Sequence, residues 1–179
     1  MDKQTEEILQ KIEEAEYVLV GLGQEFDMEF FLQSREDYRR IREELQQQNV
    51  LWLLPYVEEQ FRRQYLPEME AEIEKGLQKL AKVLEKKSYF VVSSSLNHKL
   101  AEVPWKKMLL KKERFVAPCG DWTKKQCPDG CEEGIQTVTE ADEEQLQESF
   151  KKLQTNGFSV PDLGKCPKCG KKLVLNNVY

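Results

Sequence analysis

Four of the five cysteines in this chain stand in two tight pairs, and no other feature of the sequence restricts the fold as strongly. Cys127 and Cys131 sit in Cys-Pro-Asp-Gly-Cys, and Cys166 and Cys169 in Cys-Pro-Lys-Cys-Gly. Two short hooks of thiolates, brought together by a fold, make a tetrahedral four-cysteine cage for Zn2+, and this is the signature of a zinc ribbon. A proline after the first cysteine and a glycine at or near the second suit a turn that aims both sulfurs at one metal. The bland alternative is a set of cysteines that cluster without a shared metal. A disulfide framework is disfavoured, because nothing else in the chain reads as secreted. Four thiolates leave no open coordination position, so the expected Zn2+ is structural rather than catalytic.

The remaining composition narrows the function classes. The 179 residues are 40% hydrophobic, enough to fill a core, and 33% charged, with a formal net charge of −5. That balance does not favour a nucleic-acid partner, which requires a basic face. Acids and bases are interleaved, as on solvated helix faces. No run approaches transmembrane length, so no membrane partner is expected. Met1-Asp2-Lys3-Gln4 leads into an acidic amphipathic stretch rather than an apolar leader. Together with paired thiolates, this predicts a reducing, cytoplasmic setting.

Periodicity predicts a helix over 2–15, with Ile8, Leu9 and Ile12 on one face. Tyr17-Val18-Leu19-Val20 reads as a buried strand running into the Gly21-Leu22-Gly23 turn. Residues 25–66 read as mostly helical, with Phe30, Phe31, Tyr38, Ile41 and Leu45 as core, and Leu51–Leu54 as a further apolar patch. A helix follows over 68–86, with Ile73, Leu77, Leu80 and Leu84 in register. Tyr89-Phe90-Val91-Val92 is a second buried strand ending in Ser93-Ser94-Ser95, and Phe115-Val116-Ala117 is a candidate third. Helix, strand, helices, strand is the rhythm of a parallel α/β sheet. Residues 119–172 form the expected zinc module, with a helix from Ala141 to Gln154, and 173–179 is expected to return as a strand to the first part. Residues 1–118 are then a Rossmann-like N-terminal part that carries the helical segment 25–86. The apolar, strand-like ending and the small number of strands give the expectation of a C-terminal half beyond Tyr179.

In their order, these features resemble the sirtuin (Sir2) family. The residues carrying the likeness are Tyr17–Gly23, Tyr89–Ser95 with Leu96-Asn97-His98, Cys119-Gly120-Asp121-Trp122, Gln126-Cys127 and Lys165–Gly170. The chain looks closest to the bacterial sirtuins linked to macrodomains, which are associated with protein ADP-ribosylation. The resemblance implies an incomplete Rossmann-like sheet that binds NAD, with the four-cysteine zinc ribbon as its smaller lobe. It also implies cleavage of the nicotinamide–ribose bond and passage of ADP-ribose to an acyl oxygen or a protein side chain. The implied partner is an acylated or ADP-ribosylated protein. Gly21, Gly23, Ser93 and Ser95 fall at the implied cofactor positions, and Asn97 and Cys119 at the implied catalytic ones.

The sequence departs from the family pattern at these positions. Gln24-Glu25-Phe26-Asp27 follows the glycines in place of a serine-containing loop, bringing two acids toward a diphosphate. Ser95 stands where the family has an Asn, and Asn97 where it has an Asp. Cys119-Gly120 replaces His-Gly, and a thiol is a poor substitute for an imidazole base at neutral pH unless its pKa is lowered. Taken alone, Gly21 and Gly23 also suit a plain turn, Ser93–Ser95 a helix or turn cap, Cys119 a small inert side chain, and His98 an ordinary loop residue. Two functions follow: a divergent, weakly active NAD-dependent deacylase or ADP-ribosyltransferase, or a catalytically inactive zinc-ribbon module that binds proteins.

Overall fold

The computed structural model describes residues 3–23, 29–95, 114–121 and 123–177. Asn97, His98 and the stretch 24–27 after the glycines lie outside the described residues. The elements in chain order are α1 (Lys3–Glu14), β1 (Tyr17–Leu22), α2 (Glu29–Leu32), α3 (Glu36–Gln47), a 3-10 turn at Leu51–Leu53, α4 (Leu54–Tyr65), α5 (Pro67–Leu84), β2 (Ser88–Ser93), β3 (Phe115–Val116), β4 (Lys124–Gln126), β5 (Gln136–Thr137), α6 (Glu140–Gln154) and β6 (Val174–Leu175). The fold class is mixed α/β, with a three-stranded parallel sheet and packed helices.

In that sheet the strands lie in the order β1-β2-β3, with Tyr17 opposite Ser88 and Leu22 opposite Ser93. Alternation puts Val18, Val20, Leu22, Tyr89, Val91 and Phe115 on one face. There they pack on the Ile73, Leu77, Leu80 and Leu84 stripe of α5. Pro67 opens that helix at its first position, where a missing N–H is harmless. The opposite face carries Tyr17, Leu19 and Phe90 exposed. Gly21 is the fifth residue of β1 and not part of a turn; the strand extends further than its apolar, β-branched stretch suggests.

The second sheet has the order β5-β4-β6, all antiparallel, with Lys125 between Gln136 and Leu175. Val174–Leu175 therefore pairs within the zinc module and does not return to the parallel sheet, contrary to the expectation for 173–179. The reason is side-chain burial. Leu173 and Leu175 enter the same core as Cys127 and Cys166, and Asn176 N–H donates to the Lys124 carbonyl at 2.9 Å.

The division of the helices also differs from a single N-terminal part. The stripes Tyr38, Ile41, Leu45 of α3 and Tyr56, Val57, Phe61 of α4 form one core with Leu146, Phe150 and Leu153 of α6 and with the ribbon. Phe61 is its hub, meeting Tyr38 and Phe150 edge-on at ring distances of 5.6 and 5.9 Å. Each such buried side chain contributes about 1.5–3 kcal/mol. Arg40 Nη2 adds a bond to the Leu153 carbonyl at 2.8 Å, and Asn177 Nδ2 one to the Trp52 carbonyl at 3.0 Å. Segment 29–66 is thus a buttress for the zinc module, whereas α5 belongs to the parallel sheet.

Candidate metal centre

Each cysteine pair is delivered by a hook whose backbone closes on itself. In the first, β4 ends at Gln126, and Gly130 N–H donates to the Cys127 carbonyl at 3.0 Å, with Gly130 at φ +73°. The second repeats the device: Gly170 N–H donates to the Cys166 carbonyl at 2.9 Å, with Gly170 at φ +74°. A positive φ is what glycine tolerates without Cβ strain: Gly130 makes the turn just before Cys131, and Gly170 turns the chain away just after Cys169. The second hook stands on a short hairpin, with Cys166 N–H to the Lys171 carbonyl at 2.8 Å and Leu173 N–H to the Gly164 carbonyl at 2.9 Å.

All four Sγ atoms lie within 4.8 Å of one another, and the Cys127 and Cys169 sulfurs are 3.4 Å apart. A tetrahedron with Zn–S bonds of about 2.3 Å has sulfur–sulfur edges of about 3.8 Å, inside this range. All five cysteine thiols are free, so disulfides do not hold the hooks together. The donor set therefore fits a metal ion such as zinc, held by Cys127, Cys131, Cys166 and Cys169. Cys127 and Cys166 are buried, Cys131 is half-buried and Cys169 reaches the surface.

The thiols share protons unevenly. Burial pushes Cys127 up, but the Asp129 and Cys131 backbone N–H groups and the neighbouring thiols outweigh it and bring it down to about 7. Cys131, beside that thiolate and partly buried, is pushed up to about 12. Cys169 is also raised: the Lys171 backbone N–H favours its thiolate, but the Cys127 sulfur and burial prevail. A bound cation would favour the thiolate of Cys131 and Cys169 against this push. Lys171 Nζ bridges to Asp129 Oδ1 at 2.7 Å, tying one hook to the other, and Lys168 reaches Glu133 at 3.5 Å.

Sequence reasoning missed two supports of this centre. Gly134 lies against the first hook: a Cβ there would come 2.5 Å from the Cys127 Cβ and 2.9 Å from its backbone N. Lys125, two residues before Cys127, is buried, and its Nζ donates to both Asp142 carboxylate oxygens at 2.9 and 2.8 Å and to the Leu163 carbonyl at 2.8 Å. One ammonium therefore joins the strand leading to the first hook, the helix α6 and the segment leading to the second. Asp142 also caps α6, accepting from Thr139 N–H and Oγ1 at 2.8 Å each. Burial pushes the Asp142 carboxyl up, but the Lys125 ammonium and the Thr139 donors prevail and hold it below the usual range. Thr-x-x-Asp at 139–142 was the available signal.

The other singled-out residues divide into two places. Gly23 follows the last residue of β1, and Ser93–Ser95 close β2, where the two strands end side by side: Ser94 N–H donates to the Leu22 carbonyl at 2.9 Å, and its Oγ to the same oxygen at 3.4 Å. Ser93 and Ser95 are buried, with Ser93 Oγ donating to the Ser95 carbonyl at 3.4 Å. Cys119 is half-buried in a turn closed by Gly120 N–H to the Ala117 carbonyl at 3.1 Å. Gly120, at φ +108°, packs so closely on the Asn176 carbonyl that any Cβ would collide with it. Comparison with protein-family models finds no match, and no curated protein matches this sequence. Among the described residues no helix is long and apolar enough to cross a membrane.

Proposed function

We propose that this chain is a sirtuin-like, zinc-stabilised protein that binds NAD, with the four-cysteine ribbon as a structural lobe. The reaction class is NAD-dependent deacylation or ADP-ribosyl transfer on a protein. The observation that carries the reading is the side-by-side ending of two adjacent parallel strands at their carboxyl ends, where Leu22, one residue before Gly23, stands opposite Ser93 and its carbonyl accepts from Ser94 N–H. Open α/β sheets bind ligands outside the carboxyl ends of their strands, where backbone N–H groups and small side chains leave room for phosphate and ribose. The zinc would hold the ribbon and supply no step of the reaction, because four protein thiolates fill its coordination sphere.

A second reading is a non-catalytic protein-binding module. It is supported by the inward turn of Ser93 onto the Ser95 carbonyl, which occupies that hydroxyl within the protein itself. Titration calorimetry of zinc-loaded protein with NAD separates the two. A micromolar constant that is lost in Gly23→Val is the expected result for the cofactor site. No heat at millimolar NAD would reject NAD binding by this chain and leave the module reading. Release of nicotinamide, assayed next, would separate a catalyst from a passive binder.

A further inference from the structure

We propose that Asn176 is a positioning residue: it ties the Cys119–Gly120 turn to the first cysteine hook, so that a metal held by the four thiolates sets how far the Cys119 thiol is open to solvent. The turn lies where the chain crosses from the parallel sheet to the ribbon. It leaves the carboxyl end of β3, on the edge where Ser93 closes β2, and runs through Asp121 toward β4. Asn176 follows β6 and bonds to both sides of that crossing. Its main-chain carbonyl and its Oδ1 both accept from Asp121 N–H, at 2.7 and 3.0 Å. Its Nδ2 donates to Gln126 Oε1 at 2.6 Å, and Gln126 is the residue before Cys127. The end of a strand needs only its main-chain bonds. Here the side chain joins two further segments at once, which takes a donor and an acceptor on one short group, as an amide has.

The turn is seated closely on this latch. Gly120, at φ +108°, lies against the Asn176 carbonyl, and a Cβ on it would also come 2.9 Å from the Asn177 Cα. Asn177 is held in turn by its Nδ2 bond to the Trp52 carbonyl at 3.0 Å. Asp121 is braced from its other side, its Oδ1 accepting from Thr123 N–H at 3.1 Å. Both stems of the metal centre converge on the same residue. β4 runs into Cys127, and β6, which follows the second hook, pairs with it so that Gln126 stands opposite Val174. Release of the metal frees both hooks, and with them the two segments that Asn176 holds together. Cys119 falls at the implied catalytic position, so the part this latch plays in a reaction rests on the sirtuin-like reading. The coupling itself is read on the thiol without NAD, so its failure and the failure of NAD binding are separate results.

The rate of Cys119 alkylation by iodoacetamide tests the proposal. It is read by mass spectrometry on the tryptic peptide Phe115–Lys124, in which Cys119 is the only cysteine. In the wild-type chain, stripping zinc with a chelator should speed the reaction about tenfold, the scale of one or two neutral hydrogen bonds. Asn176→Leu keeps a branched side chain and removes both polar ends. It should retain its zinc and its circular dichroism, yet alkylate Cys119 at nearly the metal-free rate with zinc still bound, and stripping should then add little. If Asn176 merely ends a strand, Cys119 in the zinc-loaded variant will react as slowly as in the wild type, and the proposal is overturned. A wild-type rate that ignores zinc removal overturns it as well, and that comparison needs no variant. Loss of zinc from Asn176→Leu would make Asn176 a structural part of the metal centre and would equally reject a positioning role.

Discussion

Lys125→Met should be strongly destabilising although it conserves the packing around it. Methionine keeps most of the volume of the lysine stem, so packing is conserved and the ammonium alone is removed. Three bonds disappear: two to Asp142 and one to the Leu163 carbonyl. Deleting one partner of a buried ion pair costs about 3–5 kcal/mol, because the other charge stays buried. Here Asp142 retains two donors from Thr139, so the lower end, about 3 kcal/mol, is the expected loss. For a chain of this size that lowers the melting temperature by roughly 6–12 °C. The assay is urea unfolding of zinc-loaded protein followed by far-ultraviolet circular dichroism, with the slope checked for constancy. Lys125→Met/Asp142→Asn, which removes the stranded charge as well, should recover about half of the loss. A single-variant loss below about 0.5 kcal/mol, the scale of an exposed ion pair, would refute the assignment of Lys125 as the joint between the two hooks and α6.

Two further outcomes follow from the way the cores are shared. Removing the metal with a chelator should speed hydrogen exchange in α3, α4 and α6 as well as in the hooks, because Cys127 and Cys166 sit in the same core as Leu45, Phe61 and Leu153. Exchange in α5 and β2, which share a different core, should change far less; uniform acceleration would show the two cores to be one cooperative unit. Gly134→Ala should cost about 1–3 kcal/mol and weaken zinc binding in a competition assay with a chromophoric chelator, since its Cβ would press on Cys127. An unchanged affinity would mean that the first hook can shift without moving its sulfurs.

The elements that sequence alone predicted correctly were those with a strong local period. The α5 stripe at 73, 77, 80 and 84 and the apolar runs at 17–20 and 89–92 each contain their own instruction, in a spacing of 3.6 or a β-branched run, and the structure places a helix and two strands there. The cysteine hooks were legible for a different reason: metal coordination fixes the residue type and a short spacing together, and the structure gathers all four sulfurs. What stayed hidden depends on partners distant in sequence. Nothing near 29–66 says that its helices serve the ribbon and not the sheet; that is decided by Phe61 meeting Phe150 and by Arg40 reaching Leu153. A lysine at 125 reads as one more solvated charge until Asp142 and Leu163 are brought to it, and only then does it become a buried joint. Val174–Leu175 reads as a strand in either sheet, because two apolar residues carry no register of their own. The burial of Leu173 and Leu175 beside the cysteines selects the ribbon. Local pattern thus specifies which elements form. The apportioning of those elements between the metal core and the parallel sheet is set by a few long-range contacts, and those are also the places where single substitutions should separate the two.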